Sequence, residues 1–205
     1  MKIGPKYKIA RRLGAPIFEK TQTPKYALSL SRKERSGGKD QKRGMRGKSE
    51  FGRELNEKQK ARFTYGIVER QFKNYVEKAL LSQHPVEKLF KILESRLDNV
   101  LYRSGLAKTR IGGRQMGSHG HILINNRRVT IPSIQLSIGD IIQVRTGSAT
   151  SPLFTGVPDR LKEITIPEWL KVDEGGQKVE VVGEPVYKPE QNVFDLRVVV
   201  EFYSR

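Results

Sequence analysis

Residues 114–129 read RQMGSHGHILINNRRV, and how this stretch divides decides the fold. Through Gly120 it shows no alternation of apolar and polar residues. After Gly120 the period becomes two: ILIN, an Asn125-Asn126 pair and RRVTI describe strand, turn and strand. Asparagine tolerates the positive φ that a two-residue hairpin turn requires, so the pair fits the tip of a β-hairpin. The change of period sets a helix-to-strand corner at residues 118–121, where two histidines flank one glycine.

Upstream, Thr109 caps a short helix over residues 110–118, which sets Arg110 and Arg114 four apart on one face. Gly112, Gly113 and Gly117 weaken that helix, each by roughly 1 kcal/mol relative to Ala. Before it, Pro85 opens a longer helix with Glu87 in its first turn. Val86, Leu89, Leu93, Leu97 and Val100 form its apolar stripe, and Gly105 is its stop. An earlier helix starts near Asn56, where Phe63, Ile67, Phe72, Val76 and Leu80 recur three to five residues apart. Downstream, Gly139-Asp140 leads into the strand IIQV. Residues 151–170 are Pro-rich and irregular apart from a short helix near Asp159–Glu163. VEVV and FDLRVVVEFY then read as two strands around the loop GEPVYKPEQN. The expected class is α+β, with a basic arm over residues 1–48, a helical and strand domain from 49–93 and 147–205, and a small helix–helix–hairpin module at 94–146.

The 205 residues hold 39 Lys and Arg against 22 Asp and Glu, a formal net charge of +17. So large an excess repels itself unless a polyanion neutralises it. Nucleic acid is the leading candidate and an anionic membrane surface the second. Residues 1–62 carry a net +13, residues 63–150 carry +7, and residues 151–205 carry −3. The arm is rich in Gly, Pro and basic residues and too poor in apolar ones to offset its ordering entropy, so it is expected to order on its partner. Its interleaved Tyr7, Phe18 and Tyr26 argue against a purely solvating tail. No run of about eighteen apolar residues occurs, so no transmembrane span is expected. MKIGPKYKIARRLG lacks the apolar core of a signal peptide, and the chain has no cysteine. Disulfides and thiolate zinc sites are therefore excluded, and an intracellular setting follows.

Several motifs invite catalytic readings and fail them. Zinc needs three or four ligands, and beyond His119 and His121 the chain has one more histidine, His84. No carboxylate lies between Asp98 and Asp140 to complete a set. RGMRGKS ends like a phosphate loop, but the position of its first glycine is Lys42 and no strand precedes it. RIGGRQMG follows a helix rather than the strand that a dinucleotide site requires. RLD at Arg96–Asp98 resembles the catalytic aspartate motif of pseudouridine synthases, yet it sits inside an apolar-periodic helix and reads as a helix-surface Arg–Asp pair.

LESRLDNVLYRSGLAKTR, followed by RQMGSHGHILINNRRVTIPS and GDII, resembles the small-subunit ribosomal protein four family and covers its RNA-binding module. Tyrosyl-tRNA synthetases and pseudouridine synthases carry versions of that module. The likeness extends beyond it, however. SEFGRELNEKQKARFTYGIVERQFKNYV resembles the family's preceding helical segment, MKIGPKYKIARRLG with TPKYAL its beginning, and PEWLKVD with VEFYSR its ending. Many family members place zinc-holding cysteines where this chain has Tyr7, Ala10 and Tyr26, so it resembles a zinc-less form and no metal or cofactor is expected. The resemblance implies a structural, non-enzymatic constituent of the small subunit. It implies primary binding to 16S-class rRNA at a helix junction of the 5′ domain, which nucleates assembly. It further implies contacts with small-subunit proteins five and three, a bearing on decoding accuracy, and a place beside the path by which mRNA enters. The expected setting is the cytoplasmic ribosome, with an organellar ribosome left open.

A-form RNA has a major groove too narrow for a helix, so a protein reads shape, backbone and exposed bases. Guanidinium groups grip phosphate with two N–H groups and stack on bases, while lysines supply point charge. On that basis Arg103, Lys108, Thr109, Arg110, Arg114, Gln115, Ser118, His119 and His121 form one contact surface. Asn125, Asn126, Arg127 and Arg128 extend it at the hairpin. Gly120, having no Cβ, lets the backbone come close to phosphate. The arm adds Lys8, Arg11, Arg12, Lys25, Arg32, Lys33, Arg43 and Arg46, and the first long helix adds Tyr65, Arg70 and Lys73. Two other classes compete: an RNA-modifying enzyme that uses the module for capture, and a nonspecific basic binder of DNA or membranes.

Overall fold

The computed structural model describes residues 3–35 and 49–204. In chain order its helices and strands are α1 (Lys6–Leu13), α2 (Pro24–Arg35), α3 (Glu50–Tyr65), α4 (Glu69–Leu80), α5 (Pro85–Glu94), α6 (Leu97–Arg103) and α7 (Arg110–Ser118). There follow β1 (Ile122–Ile124), β2 (Arg127–Val129), β3 (Ile141–Val144), α8 (Pro152–Thr155), α9 (Val157–Glu163), β4 (Leu170–Val172), β5 (Lys178–Val181) and α10 (Leu196–Ser204). The class is α+β, as expected. Among the described residues no helix is long and apolar enough to cross a membrane.

The chain forms two compact units, Met1–Val86 with Lys188–Arg205, and Glu87–Tyr187. In the first unit the described part of the arm forms α1 and α2 around a small core. Gly14, at φ 71°, ends α1 and returns its N–H to Ala10 and Arg11. The chain then buries Ala10, Leu13, Ala15, Ile17, Phe18 and Tyr26 in one cluster, against which Phe63 of α3 packs. Asn56 of α3 donates to the Leu13 carbonyl at 3.1 Å. In residues 3–32 the arm's sparse apolar residues are thus pooled with those of α3 in one small core.

The helix expected from Asn56 onward is two helices. Gly66 adopts φ 62° and closes α3 by bonding back to Arg62 and Phe63, so α4 starts on a new axis. The C-terminal FDLRVVVEFY is not a strand. It forms α10, which packs on α3 and α4, with Tyr65–Phe194 and Phe72–Tyr203 ring contacts at 5.9 and 6.3 Å. Three consecutive valines favour strand, but Leu196, Val199 and Tyr203 also keep helical spacing, and the packing face decides.

The second unit holds the sheet, antiparallel throughout, in the order β2-β1-β3-β5-β4. Pairing of Ile142 with Val179 and of Val172 with Val179 brings residues 147–187 into the same body as the hairpin. This division differs from the expected one, in which those residues joined 49–93; only residues 188–205 return to the first unit. The core runs from Leu97, Val100 and Leu101 through Met116, Ile122 and Ile142 to Phe154, Leu170 and Val179.

The long helix expected from Pro85 through Val100 breaks at Ser95-Arg96. The amides of Leu97 and Asp98 donate to the Ile134 and Pro132 carbonyls at 2.9 and 3.0 Å, and Leu136 donates to Ser95. A distant segment thereby supplies what a capping side chain would otherwise give to the start of α6.

Candidate nucleic-acid interface

Helix α7 begins where its sequence says: Thr109 Oγ1 accepts from the Gly112 amide at 3.0 Å. Its glycines do more than lower helix propensity. A Cβ on Gly113 would lie 2.5 Å from the Asp98 carbonyl oxygen and 3.2 Å from Leu101 Cβ, so only glycine lets α7 lie this close to α6. That approach puts the α7 arginines within reach of α6.

Each arginine around this contact has a fixed partner on α5 or α6. Arg114 donates through Nε and Nη2 to Asp98 Oδ2 at 2.8 and 2.6 Å. Arg96 takes the same carboxylate at Oδ1 and Oδ2, at 3.0 and 2.8 Å. Arg103 forks onto Glu94 at 2.9 and 3.0 Å. Arg110 donates to Asn99 Oδ1 at 2.7 Å and lies over the Tyr102 ring, 4.4 Å from its centre. The Arg96–Asp98 pair, expected on a helix surface, is buried, both residues being 2% exposed or less. Two arginines satisfy its one carboxylate, which is why it tolerates that position.

At the corner, Gly120 has φ 69°, and the space a Cβ would fill is taken by the Arg128 guanidinium, whose Nη2 is 2.7 Å from that position. The side of Gly120 that lacks a Cβ therefore faces the Arg128 guanidinium. The His119 and His121 rings stand 5.9 Å apart, and His121 Nδ1 pairs with the Ser148 hydroxyl at 3.0 Å. Burial pushes His121 below the ordinary histidine range, and the charges of His119, Arg145 and Arg128 push the same way. At the hairpin tip Asn125 and Asn126 have φ 48° and 65°. The Asn125 side chain donates to Asp140 at 2.8 Å and accepts from the Ile141 amide at 2.9 Å.

The arrangement offers guanidinium groups held by one edge on carboxylates, an arginine lying over a tyrosine ring, and exposed cations. Among the described residues, Glu50, Glu54 and Glu201 bring one carboxylate oxygen each within 4.8 Å of one another. Such acidic groups are common without an ion.

Comparison with known proteins gives the family. The domain described as Ribosomal protein S4/S9 N-terminal domain matches residues 1–95, and the S4 domain matches residues 95–142. Small ribosomal subunit protein uS4 of Chlorobium luteolum is 40% identical over 201 residues, covering 97% of this chain and 96% of the relative. The uS4 of Heliobacterium modesticaldum is 38% identical over 206 residues, covering 98% of each. The chain belongs to the uS4 family. That family is structural and non-enzymatic.

Within the S4-domain match lie α6, α7 and the hairpin. Lys108, Gln115, Ser118, His119, Asn125, Asn126, Arg127 and Arg128 are exposed there, and Arg103, Thr109, Arg110, Arg114 and His121 are half-buried. Elsewhere in this uS4-family chain, Lys8, Arg12, Lys25, Arg32, Arg70 and Lys73 are exposed, while Arg11 is half-buried and bonds the Tyr7 carbonyl. Tyr65 is 2% exposed against Phe194, so its ring is core and not contact surface. Lys33, Arg43 and Arg46 fall outside the described side chains. At the positions that many family members give to cysteine, Tyr7 and Tyr26 meet at 5.1 Å and Ala10 is fully buried. Reading the sequence missed Glu94, Asp98, Asn99 and Tyr102 as supports of the arginines. It also missed Arg145 and Ser148 beside His121. A carboxylate four residues before an Asp, with arginines beyond both, was the available signal for the first group; nothing local marked the second.

Proposed function

We propose that this chain is a primary rRNA-binding protein of the small ribosomal subunit, docking on a helix junction of the 5′ domain and nucleating assembly there. As a uS4-family member it is a structural part of that subunit and binds its rRNA. The observation that carries the finer reading is the cluster of half-buried arginines on α6 and α7, each fixed by a hydrogen-bonded partner. Guanidinium groups fixed by one edge suit a shaped RNA site, whereas freely rotating charges would suit any polyanion. The family resemblance supports contacts with small-subunit proteins five and three, a bearing on decoding accuracy, and a position beside incoming mRNA.

The test is a titration against the 5′ domain of small-subunit rRNA and a length-matched scrambled RNA, at about 50 and 200 mM salt. A preference of a hundredfold or more that survives the higher salt is expected. Equal and steeply salt-sensitive binding to both RNAs would mean that charge acts alone, and would sink the reading.

A further inference from the structure

Glu94 and Asp98 are shielded from solvent, yet each holds an arginine that reaches it. The two acid side chains are 2% exposed, while those of Arg103 and Arg114 are 33% and 27% exposed. Asp98 is bracketed by two guanidinium groups, Arg96 from the buried side and Arg114 from α7. Glu94 takes both prongs of Arg103, and its Oε2 also accepts the Asn99 amide at 3.0 Å. Asn99 in turn presents its oxygen to Arg110. Each arginine is therefore keyed, directly or through one amide, to a buried carboxylate.

We infer that Glu94 and Asp98 are positioning residues for RNA recognition, fixing the guanidinium groups of Arg103, Arg110 and Arg114 in one arrangement before RNA arrives. This inference rests on the rRNA-binding reading above. An arginine pinned during folding has already lost its rotamer freedom, so contact with RNA forfeits less of it. The acids also act the other way. A negative charge beneath the surface weakens its general attraction for phosphate. The two effects predict opposite signs. If attraction alone mattered, neutralising Asp98 would tighten binding to every RNA. If positioning matters, it loosens binding to RNA that requires the fixed arrangement and leaves other RNA alone.

Asp98→Asn in the full chain, nearly isosteric, is titrated against the 5′ domain and against scrambled RNA. The expected result is at least a tenfold weaker Kd for the 5′ domain, with scrambled RNA bound equally or more tightly. The effect should vanish in an Arg114→Ala background, since the acid acts through that arginine. Undiminished preference in folded Asp98→Asn overturns the inference, and so does equal weakening towards both RNAs, the mark of a merely structural residue. Should Asp98→Asn lose its cooperative thermal transition, Arg114→Lys replaces it, keeping the charge while dropping the fork. Loss of preference is then expected, and retained preference overturns the inference. A parent chain with no preference removes the rRNA reading and this inference together; a parent that discriminates beside a variant that still does removes this inference alone.

Discussion

Gly113 and Gly117 stand four residues apart on one short helix, yet they answer to different neighbours. At Gly113 a methyl group meets the Asp98 backbone, which cannot swing aside, so Gly113→Ala should destabilise by about 1–3 kcal/mol. At Gly117 a methyl group meets Leu97 and Pro132 at 3.6 Å, ordinary contact distance. There the helix propensity of alanine prevails, and Gly117→Ala should stabilise by about 0.5–1 kcal/mol. Chemical denaturation of the two variants settles it, and shifts of the same sign would refute the distinction. His121 supplies a second case. Its charged form is penalised in the fold chiefly by burial, so the unfolded chain accepts a proton near pH about 6.5 that the folded chain still refuses. Stability is fully present above that pH and falls as pH drops through about 6.5 towards the depressed folded value. Thermal midpoints from about pH 8 to about pH 5 should therefore fall less steeply for His121→Asn than for the parent; matching slopes would show that His121 carries none of the acid sensitivity.

The hairpin separates two kinds of asparagine in one turn. Both central residues need positive φ, which glycine supplies more readily. Asn126 gives nothing else to the turn, so Asn126→Gly should be close to neutral. Asn125 also ties the turn to Asp140 and Ile141, so Asn125→Gly should cost about 1–2 kcal/mol for the two side-chain bonds lost. Equal urea midpoints for the pair would show that those bonds contribute nothing. This hairpin was legible in sequence because its signal is local: a period of two, and a dipeptide suited to positive φ. The cap at Thr109 was legible for the same reason. Where reading failed, the deciding partner lay far away in sequence. The break at Ser95-Arg96 depends on carbonyls at Pro132 and Ile134, and α10 depends on faces of α3 and α4. The candidate surface followed the same rule. Its cationic residues could be picked by type, but Asp98, read as half of a helix-surface pair with Arg96, is buried and meets Arg114 because Gly113 lets α7 approach α6.

At the scale of the whole chain, salt should act in opposite directions on the free protein and on its complex. The net charge of +17 is not matched by surface pairing. Lys73–Glu77 and Lys162–Asp159 are long, exposed contacts of 3.7 and 4.0 Å, and pairs of that kind are worth at most about 1 kcal/mol. The strongly placed pairs, Arg96–Asp98 and Arg114–Asp98, share a carboxylate that is 2% exposed, where screening reaches poorly. Added salt therefore quenches the repulsion among exposed cations more than it weakens the internal ties. The thermal midpoint of the free chain should rise between about 20 and 200 mM salt, as the Debye length shrinks from about 20 Å to under 10 Å. Over the same range affinity for rRNA should fall, because each neutralised phosphate no longer releases its counterion into dilute solution. A midpoint that falls with salt would mean that the ion pairs outweigh the repulsion. The excess charge would then be no burden to the free chain, and its large size would need a reason other than a polyanionic partner.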